Sequence, residues 1–222
     1  MREIPLATVV LDFKLYPRGD VDSQHVAYLV EALAAGQELP PIIIDAESKR
    51  VIDGFHRVRA CEQHLGKDCK IKVIEKSYHD EAEMFIDAMR LNAAHGRTLT
   101  RYDRVHCILK AEEFKIDMEQ VADALHLTVE TVGHLRVERV GKLRAAGSPE
   151  IPLKRTIRHM AGRTLTKGQA EANDKLSGMN QMFYANQLIT LIENDLLDVS
   201  NEALMEKLRK LGELLDGVLA KV

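Results

Sequence analysis

Residues 51–60 read VIDGFHRVRA and place an Asp-Gly turn between a short apolar run and a helical pattern. Residues 50–52 are typical of a strand, whereas residues 55–65 carry apolar side chains at helical spacing and end at Gly66. A strand that runs straight into a helix directs backbone N–H groups and the positive end of the helix dipole to the turn. The stretch therefore predicts an anion-binding turn.

The candidate ligands of a phosphate group follow from this turn. Gly54 lets a ligand approach the backbone closely because it has no side chain. Arg57 and Arg59 offer fork-shaped donors, and His56 donates when its ring carries the proton. Since residues 57 and 59 do not share a helix face, we expect only one arginine to contact the ligand directly. The alternative is that the arginines pair with nearby acids. Those acids are Asp53 and Glu62.

The composition bounds the class of protein. The chain has 222 residues, enough for one large domain or two to three small ones. It has no apolar run of the roughly 18 residues that a membrane helix needs, and its first residues have no apolar signal core. Its three cysteines are odd in number and lack C-x-x-C spacing. We expect a cytoplasmic protein without a membrane span, disulfide framework or zinc site.

The net charge of −3 hides an uneven distribution along the chain. Residues 1–94 hold 12 Lys/Arg against 16 Asp/Glu, residues 95–168 hold 14 against 9, and residues 169–222 hold 5 against 9. Within the middle block, residues 134–168 hold 9 basic and 2 acidic side chains. A basic centre between acidic ends predicts a local polyanionic partner. The alternative is a solvated helix face.

The apolar periodicity predicts an α+β region followed by a chain that is entirely helical from Thr100 onward. The expected strands are Ala7–Leu11, Ile42–Ile44, Arg50–Ile52 and Lys70–Ile74. The expected helices are Ser23–Ala35, Phe55–Leu65, Glu81–Leu91, Arg101–Phe114, Met118–Leu125, Val129–Val140 and a basic helix around Ile151–Ala161, after a Gly/Ser/Pro patch at residues 147–149.

Two leucine-rich seams close the chain and predict a C-terminal amphipathic helical hairpin. Apolar residues recur at alternating spacings of 3 and 4 from Met182 to Leu196 and again from Leu204 to Val218. The turn and helix cap between them are expected at Asp198–Ser200. The hairpin either forms a homodimer or packs on its own domain.

Residues 118–137 have the lengths of a helix-turn-helix, with Thr128 as the N-cap of the second helix. If that helix enters the major groove of duplex DNA, its exposed N-terminal residues contact bases, and the basic side chains beyond contact phosphates. The alternative is a plain three-helix bundle. The expected base contacts are Thr128, Glu130, Thr131 and His134, and the expected backbone contacts are Arg136, Arg139, Lys154, Arg155 and Arg158.

Several weak motifs, in order, resemble the N-terminal domain of the ParB/Spo0J family, within the ParB/sulfiredoxin superfamily. Gly54 followed by Arg57-Val58-Arg59-Ala60 is similar to the family's G-E-R-R-x-R-A box, and Tyr16-Pro17-Arg18 resembles its Q-P-R segment. Leu39–Ile44 resembles its P-I-V-V strand, and Asn92–Arg97 with Leu99-Thr100 resembles its E-N-x-x-R-x-x-L segment. The resemblance covers roughly residues 5–160. Phe55, His56 and Leu91 depart from the pattern, and the H-G-x-x-L-T form at residues 95–100 is closer to ParB-like regulators.

The resemblance implies an α+β nucleotide-binding domain at residues 1–95, an all-α helix-turn-helix domain at 96–168 and a helical, possible dimerisation element at 169–222. It implies CTP or another nucleoside triphosphate as ligand, with Mg²⁺ near Asn92, and at most a weak triphosphatase activity without an assigned catalytic residue. It also implies a homodimer bound to duplex DNA in the nucleoid or on a plasmid, in chromosome or plasmid partition or in transcription regulation. The implied nucleotide or phosphate ligands are Arg18, Asp53, Gly54, His56, Arg57, Arg59, Asn92 and His95.

Two other functions remain open at this point. A free-serine kinase of the same superfamily has an Asp-Gly-His turn and an acid that acts as base, for which Asp53 with Glu31 or Glu38 would serve. A kinase leaves the basic helical half without a role, so we rank it second. A ParB-like nuclease needs a carboxylate cluster for metal, and the sequence has no clear one.

Overall fold

The computed structural model describes residues 2–94, 98–143 and 150–221. The N-terminal half of the chain is built on a four-stranded sheet. The strand order is β1–β4–β2–β3, in which β2 and β4 are parallel and the other neighbouring pairs are antiparallel. The apolar run predicted as a strand lies in the sheet, with Ile44 fully buried. The strands are β1 (Arg2–Pro5), β2 (Ile42–Asp45), β3 (Val51–Asp53) and β4 (Lys70–Lys76).

The first strand differs from the prediction. The expected strand Ala7–Leu11 is wrong: the chain forms β1 earlier and then a 3₁₀ turn over Leu6–Thr8. Leu6 is buried and its N–H donates to the carbonyl of Cys69 at 2.8 Å, which ties this turn to the start of β4. Only Val10 of the expected strand bridges another segment, at Arg50.

Three helices accompany this sheet, and each matches a predicted helix within a few residues. Asp22 caps the first by accepting from the N–H groups of Gln24 and His25, and Gly66 ends the second, as predicted. The second buries Phe55, Val58, Ala60 and Cys61, whereas Leu65, expected in the same stripe, is 52% exposed. The helices are α1 (Ser23–Ala34), α2 (Phe55–Leu65) and α3 (Glu81–Ala94).

The described residues from 98 to 177 form four α-helices and a small sheet, so the prediction that the chain is entirely helical from Thr100 onward is wrong. Strands pair in the order β6–β5–β7, and Gly141 of β5 lies so close to Leu165 that a Cβ atom there would stand 2.4 Å from a side-chain carbon. The elements are α4 (Arg101–Glu113), α5 (Met118–Ala124), α6 (Val129–Arg139), β5 (Val140–Leu143), β6 (Glu150–Pro152), β7 (Thr164–Leu165) and α7 (Lys167–Lys175).

The basic helix expected around Ile151–Ala161 is likewise replaced by other structure. Its first residues form β6, and a 3₁₀ segment follows at Arg155–Met160. Pro152 has no N–H to donate and cannot lie in a helix interior without removing a hydrogen bond, which is consistent with this break. The Gly/Ser/Pro patch at residues 147–149 lies outside the described residues.

A continuous apolar core joins the helical half to the sheet. It runs from Ile52 of β3 through Phe85 of α3 to Val105 of α4 and Val132 of α6, all fully buried. A second core lies on the other elements of the sheet and includes Ile44. Accordingly the chain has one compact unit over Met1–Ser177 and a second over Gly178–Val222. The division into domains at 1–95, 96–168 and 169–222 stays a prediction.

The second unit consists of α8 (Gln181–Glu193) and α9 (Glu202–Leu219). Asn180 caps α8, and Asn201 caps α9 by accepting from the N–H of Leu204 at 3.1 Å, one residue beyond the cap expected at Ser200. Neither helix contains a buried residue, so apolar side chains of the predicted seams stay open to solvent. The most exposed seam residues are Met182, Ile192, Leu196 and Val218.

No helix within the described ranges is both long and apolar enough to cross a lipid bilayer.

Candidate phosphate-binding turn and nucleic-acid interface

The Asp-Gly turn has the geometry that the sequence predicts. Gly54 adopts φ +111° and ψ 23°, and an added Cβ would stand 2.6 Å from Cγ2 of Ile42. Its carbonyl accepts the first helical bond of α2, from Val58 at 2.9 Å. Gly54 has no side chain to cap α2, and the positive end of the helix dipole lies at this turn.

The basic side chains after Gly54 already have protein partners. Arg57 donates to Asp53 Oδ2 at 2.6 Å and to the carbonyls of Pro41 at 2.7 Å and Pro40 at 3.1 Å. Arg59 pairs with Glu62 at 2.9 Å. The pairing with acids that the sequence left as an alternative is therefore present for both arginines.

His56 is held by the cap of the neighbouring helix. Its Nε2 accepts a hydrogen bond from the N–H of Asp22 at 3.2 Å. The ring of His25 lies 4.9 Å away. Phe55, which stands where the resembled family has Glu, stacks on Tyr16 at a centroid distance of 4.3 Å. An aromatic contact therefore fills the place of that carboxylate.

The remaining predicted nucleotide ligands lie on other elements. Arg18 is 6% exposed, and its Nη1 is 3.9 Å from Asp103 of α4. Asn92, the candidate magnesium ligand, donates through Nδ2 to the carbonyl of Ala88 on its own helix at 2.9 Å. His95 lies outside the described residues. Across residues 2–94, 98–143 and 150–221, no three His, Cys, Asp or Glu side chains form a group that could hold a metal ion.

The acids considered for a kinase are not arranged around the turn as free bases. Asp53 is bound to Arg57, and Glu38 pairs with Lys72 of β4. The pKa of Glu38 is lowered by its hydrogen bond to Lys72, which keeps this carboxylate charged and paired. Glu31 is exposed on α1.

The pair α5 and α6 shares an apolar core within residues 118–137. Thr128 caps α6 by accepting from the N–H of Thr131 at 3.1 Å. His126 in the turn has φ +53°, a left-handed conformation that histidine adopts more readily than bulky residues do. Leu127 is half-buried, and the other core residues are at most 8% exposed. They are Val121, Ala122, Leu125, Val132 and Leu135.

The opposite face of α6 is open to solvent. Glu130, Thr131 and His134 are all exposed, and His134 Nε2 lies 3.7 Å from Glu130 Oε1. Val137, which the sequence analysis did not assign, is 75% exposed on the same helix. In the sequence, Val137 could have been recognised as an apolar residue that lies outside the spacing of the core residues of α6. This face therefore offers hydrogen-bonding groups and one apolar group to a partner.

Two of the predicted DNA contacts have hydrogen-bond partners within the protein. Arg136 bonds both carboxylate oxygens of Glu112 on α4 and, at 2.6 Å, Glu150 of β6. The hydrogen bond that Arg136 donates to Glu112 raises the pKa of Arg136, so its charge is fixed. Lys154 donates to the carbonyls of Asp174 and Leu176, both at 2.6 Å.

The other three predicted backbone contacts differ in exposure. Arg155 and Arg158 are exposed on the 3₁₀ segment. Arg139, the last residue of α6, is 4% exposed, and its Nε has no hydrogen-bond partner in the part of the chain that the structure describes.

Comparison with known proteins gives matches to regulators. A possible regulatory protein of the streptomycin biosynthesis operon from Streptomyces griseus is 37% identical over 83 residues, which are 37% of this chain and 22% of that protein. The transcriptional regulator NovG from Streptomyces niveus is 31% identical over 87 residues, 39% of this chain and 26% of that protein. The chain thus spans about a quarter of the length of these curated relatives. No family model matches.

The solved structures that match this chain include a chromosome-partitioning protein. The C-terminally truncated ParB from Caulobacter crescentus, complexed to the centromeric parS site, has a TM-score of 0.45 at 16% identity and covers 61% of this chain and 70% of that one. The chain is thus similar to a ParB protein, as the sequence motifs predict. The same Caulobacter ParB complexed with CTP-γ-S has a TM-score of 0.38 at 15% identity, covering 61% and 76%. A Pnob8-like ParB-N domain has a TM-score of 0.43 at 15% identity, covering 68% and 56%.

Proposed function

We propose that this ParB-like chain is a DNA-binding regulator in which α5 and α6 form a helix-turn-helix and α6 enters the major groove. The observation that carries this proposal is the division of α6 into two faces. One face is buried in the core, and the other presents Glu130, Thr131 and His134 to solvent. An α-helix fits the major groove, where such side chains contact base edges.

Exposed cations beside this helix supply the phosphate contacts. Arg155 and Arg158 follow β6 on the 3₁₀ segment and remain exposed, within a block of residues that is basic overall. Phosphate contacts add affinity on any sequence and make it depend on salt. The two curated relatives are named as regulators, which favours regulation of transcription over partition for this chain.

The test compares two double charge reversals in a fluorescence anisotropy titration of duplex DNA. Arg155→Glu with Arg158→Glu should weaken binding to every sequence and reduce the slope of log K against log salt by about 2. The matched control is Lys207→Glu with Lys210→Glu on α9, which makes the same change of charge in the second unit. Equal affinities for the two double variants would refute the assignment of phosphate contacts.

The second unit is proposed to form a homodimer. Ile189 and Ile192 of α8 are 49% and 53% exposed, and Val218 of α9 is 57% exposed. Covering these side chains with a second copy removes apolar surface from water, and a two-fold dimer binds a DNA site with two-fold symmetry. Sedimentation velocity should give a dimer for the wild type and a monomer for Ile189→Glu with Ile192→Glu. A monomeric wild type contradicts this part.

The Gly54 turn is proposed to bind CTP or another nucleoside triphosphate and so to switch DNA binding. The N-terminal end of α2 and the positive φ of Gly54 support a phosphate there, with His56, Arg57 and Arg59 next to it. Asn92 is the proposed magnesium contact. Calorimetric titration with CTP, ATP and GTP, each with and without Mg²⁺, tests this. If none of the nucleotides binds while DNA binding is intact, the chain has no nucleotide switch.

A further inference from the structure

Arg139 is a buried cation for which the described residues supply no paired counter-charge. It is 4% exposed, its Nε has no hydrogen-bond partner among the described residues, and no described carboxylate forms an ion pair with it. Its backbone is fixed, because its carbonyl accepts from the N–H of Leu153 at 2.7 Å. Removing a guanidinium from water without pairing it is unfavourable for folding. Such a group is retained more readily where a ligand supplies the missing charge.

Three further arginines lie near it. Burial lowers the pKa of Arg139 most, and the positive charges of Arg158 and Arg101 lower it further. The charge of Glu138 acts in the opposite direction, and Arg155 lowers the pKa least. Within residues 2–94, 98–143 and 150–221, none of these three arginines forms an ion pair. Four guanidinium groups therefore gather with little local compensation.

The cluster is assembled from three separate segments. Arg101 is the first residue of α4, Arg139 the last of α6, and Arg155 and Arg158 lie on the 3₁₀ segment. Lys154 Nζ lies 5.7 Å from the ring centroid of Tyr102, which holds the 3₁₀ segment against the start of α4. The start of α4 adds the positive end of a helix dipole to the same place.

We propose that Arg101, Arg139, Arg155 and Arg158 form one phosphoryl-binding site, in which the ligand supplies the counter-charge that Arg139 lacks. Guanidinium forks match phosphate oxygens, and several of them around one anion favour a dianionic phosphoryl group over chloride. The group belongs either to the DNA backbone, in which case the site rests on the function proposed above, or to a free phosphate compound that occupies the same site. Arg101 is the member that the sequence did not indicate.

The first arm of the test uses inorganic pyrophosphate and thermal unfolding of the full chain at constant ionic strength. Pyrophosphate should raise the Tm of the wild type, raise it less in Arg101→Gln and Arg158→Gln, and leave it unchanged in Arg139→Met. In chloride buffer alone, Arg139→Met should unfold at a higher temperature than the wild type, because it removes an unpaired buried charge. The control is Arg209→Gln on α9, which should respond to pyrophosphate as the wild type does.

The second arm uses duplex DNA of arbitrary sequence. Arg101→Gln should lower the affinity about tenfold and reduce the salt slope by about 1, whereas Arg209→Gln should change neither. A loss in either arm that exceeds that of the control supports the site and identifies the source of the phosphoryl group. If the wild type binds no DNA but shows the pyrophosphate effects, the proposed function fails and the site stands. If Arg101→Gln and Arg158→Gln match the control in both arms, or the wild type binds neither probe, the site is refuted.

Discussion

Replacing Gly54 by alanine tests how far the turn depends on a residue without a side chain. At φ +111° an alanine is strained by about 1–2 kcal/mol. Its Cβ would stand 2.6 Å from Ile42 and 3.1 Å from Arg57 Nε, and relieving such overpacking costs about 1–3 kcal/mol. Alanine also restricts the unfolded chain, which returns about 0.4–1 kcal/mol. The balance is a loss of roughly 2–3 kcal/mol of unfolding free energy.

The matched control is Gly36→Ala. Gly36 has φ +78°, but nothing lies within 4 Å of a Cβ atom there, so only the backbone strain remains. Its expected loss is roughly 1 kcal/mol. Urea unfolding followed by circular dichroism, with linear extrapolation, gives both values. If Gly54→Ala loses no more than Gly36→Ala, the close contact with Ile42 and Arg57 does not constrain the turn, and the reasoning is refuted.

Two further predictions concern the core and the dependence on pH. Leu125→Ala, at a site 1% exposed, should cost about 2–5 kcal/mol, whereas Leu65→Ala, at a site 52% exposed, should cost well under half as much; similar losses in urea unfolding would contradict the assigned core. Burial first, and then the charge of Lys110, lowers the pKa of His106 below its ordinary 6.5, so the unfolded chain binds the proton more readily. The free energy of unfolding should therefore have its full value above pH 6.5 and fall as the pH drops below 6.5. His106→Gln should flatten this fall, and an unchanged pH profile in the variant would contradict the role of His106.

The parts of the fold that the sequence predicts are those with a long periodic pattern and a marked end. The helices α2 and α6 follow this rule, because Gly66 and Thr128 mark their limits and their buried residues recur at helical spacing. The strands β5 to β7 lack a β-branched run such as Ile42–Ile44 of β2, and pairing with other segments creates them. That is why the helical half was predicted without a sheet.

The site was predicted less completely, because the partner of a charged side chain depends on tertiary structure. Arg136 has the sequence position of a DNA contact, yet Glu112, 24 residues earlier, reaches it once α4 and α6 pack. Arg139 lies on the same helix and is buried without such a partner. The composition of residues 134–168 indicates a basic surface. Only the packed structure shows which of these cations have partners within the protein.

The central claim is that the exposed face of α6 contacts bases of duplex DNA. It is tested most directly by the ratio of specific to non-specific DNA affinity. After selection of a preferred duplex, the triple variant Glu130→Ala, Thr131→Ala, His134→Ala should lose at least tenfold in this ratio, since each good base contact contributes about 1–3 kcal/mol of discrimination. Its non-specific affinity and salt slope should stay near those of the wild type, because the phosphate contacts remain. A triple variant that keeps the full ratio would show that α6 does not contact the bases.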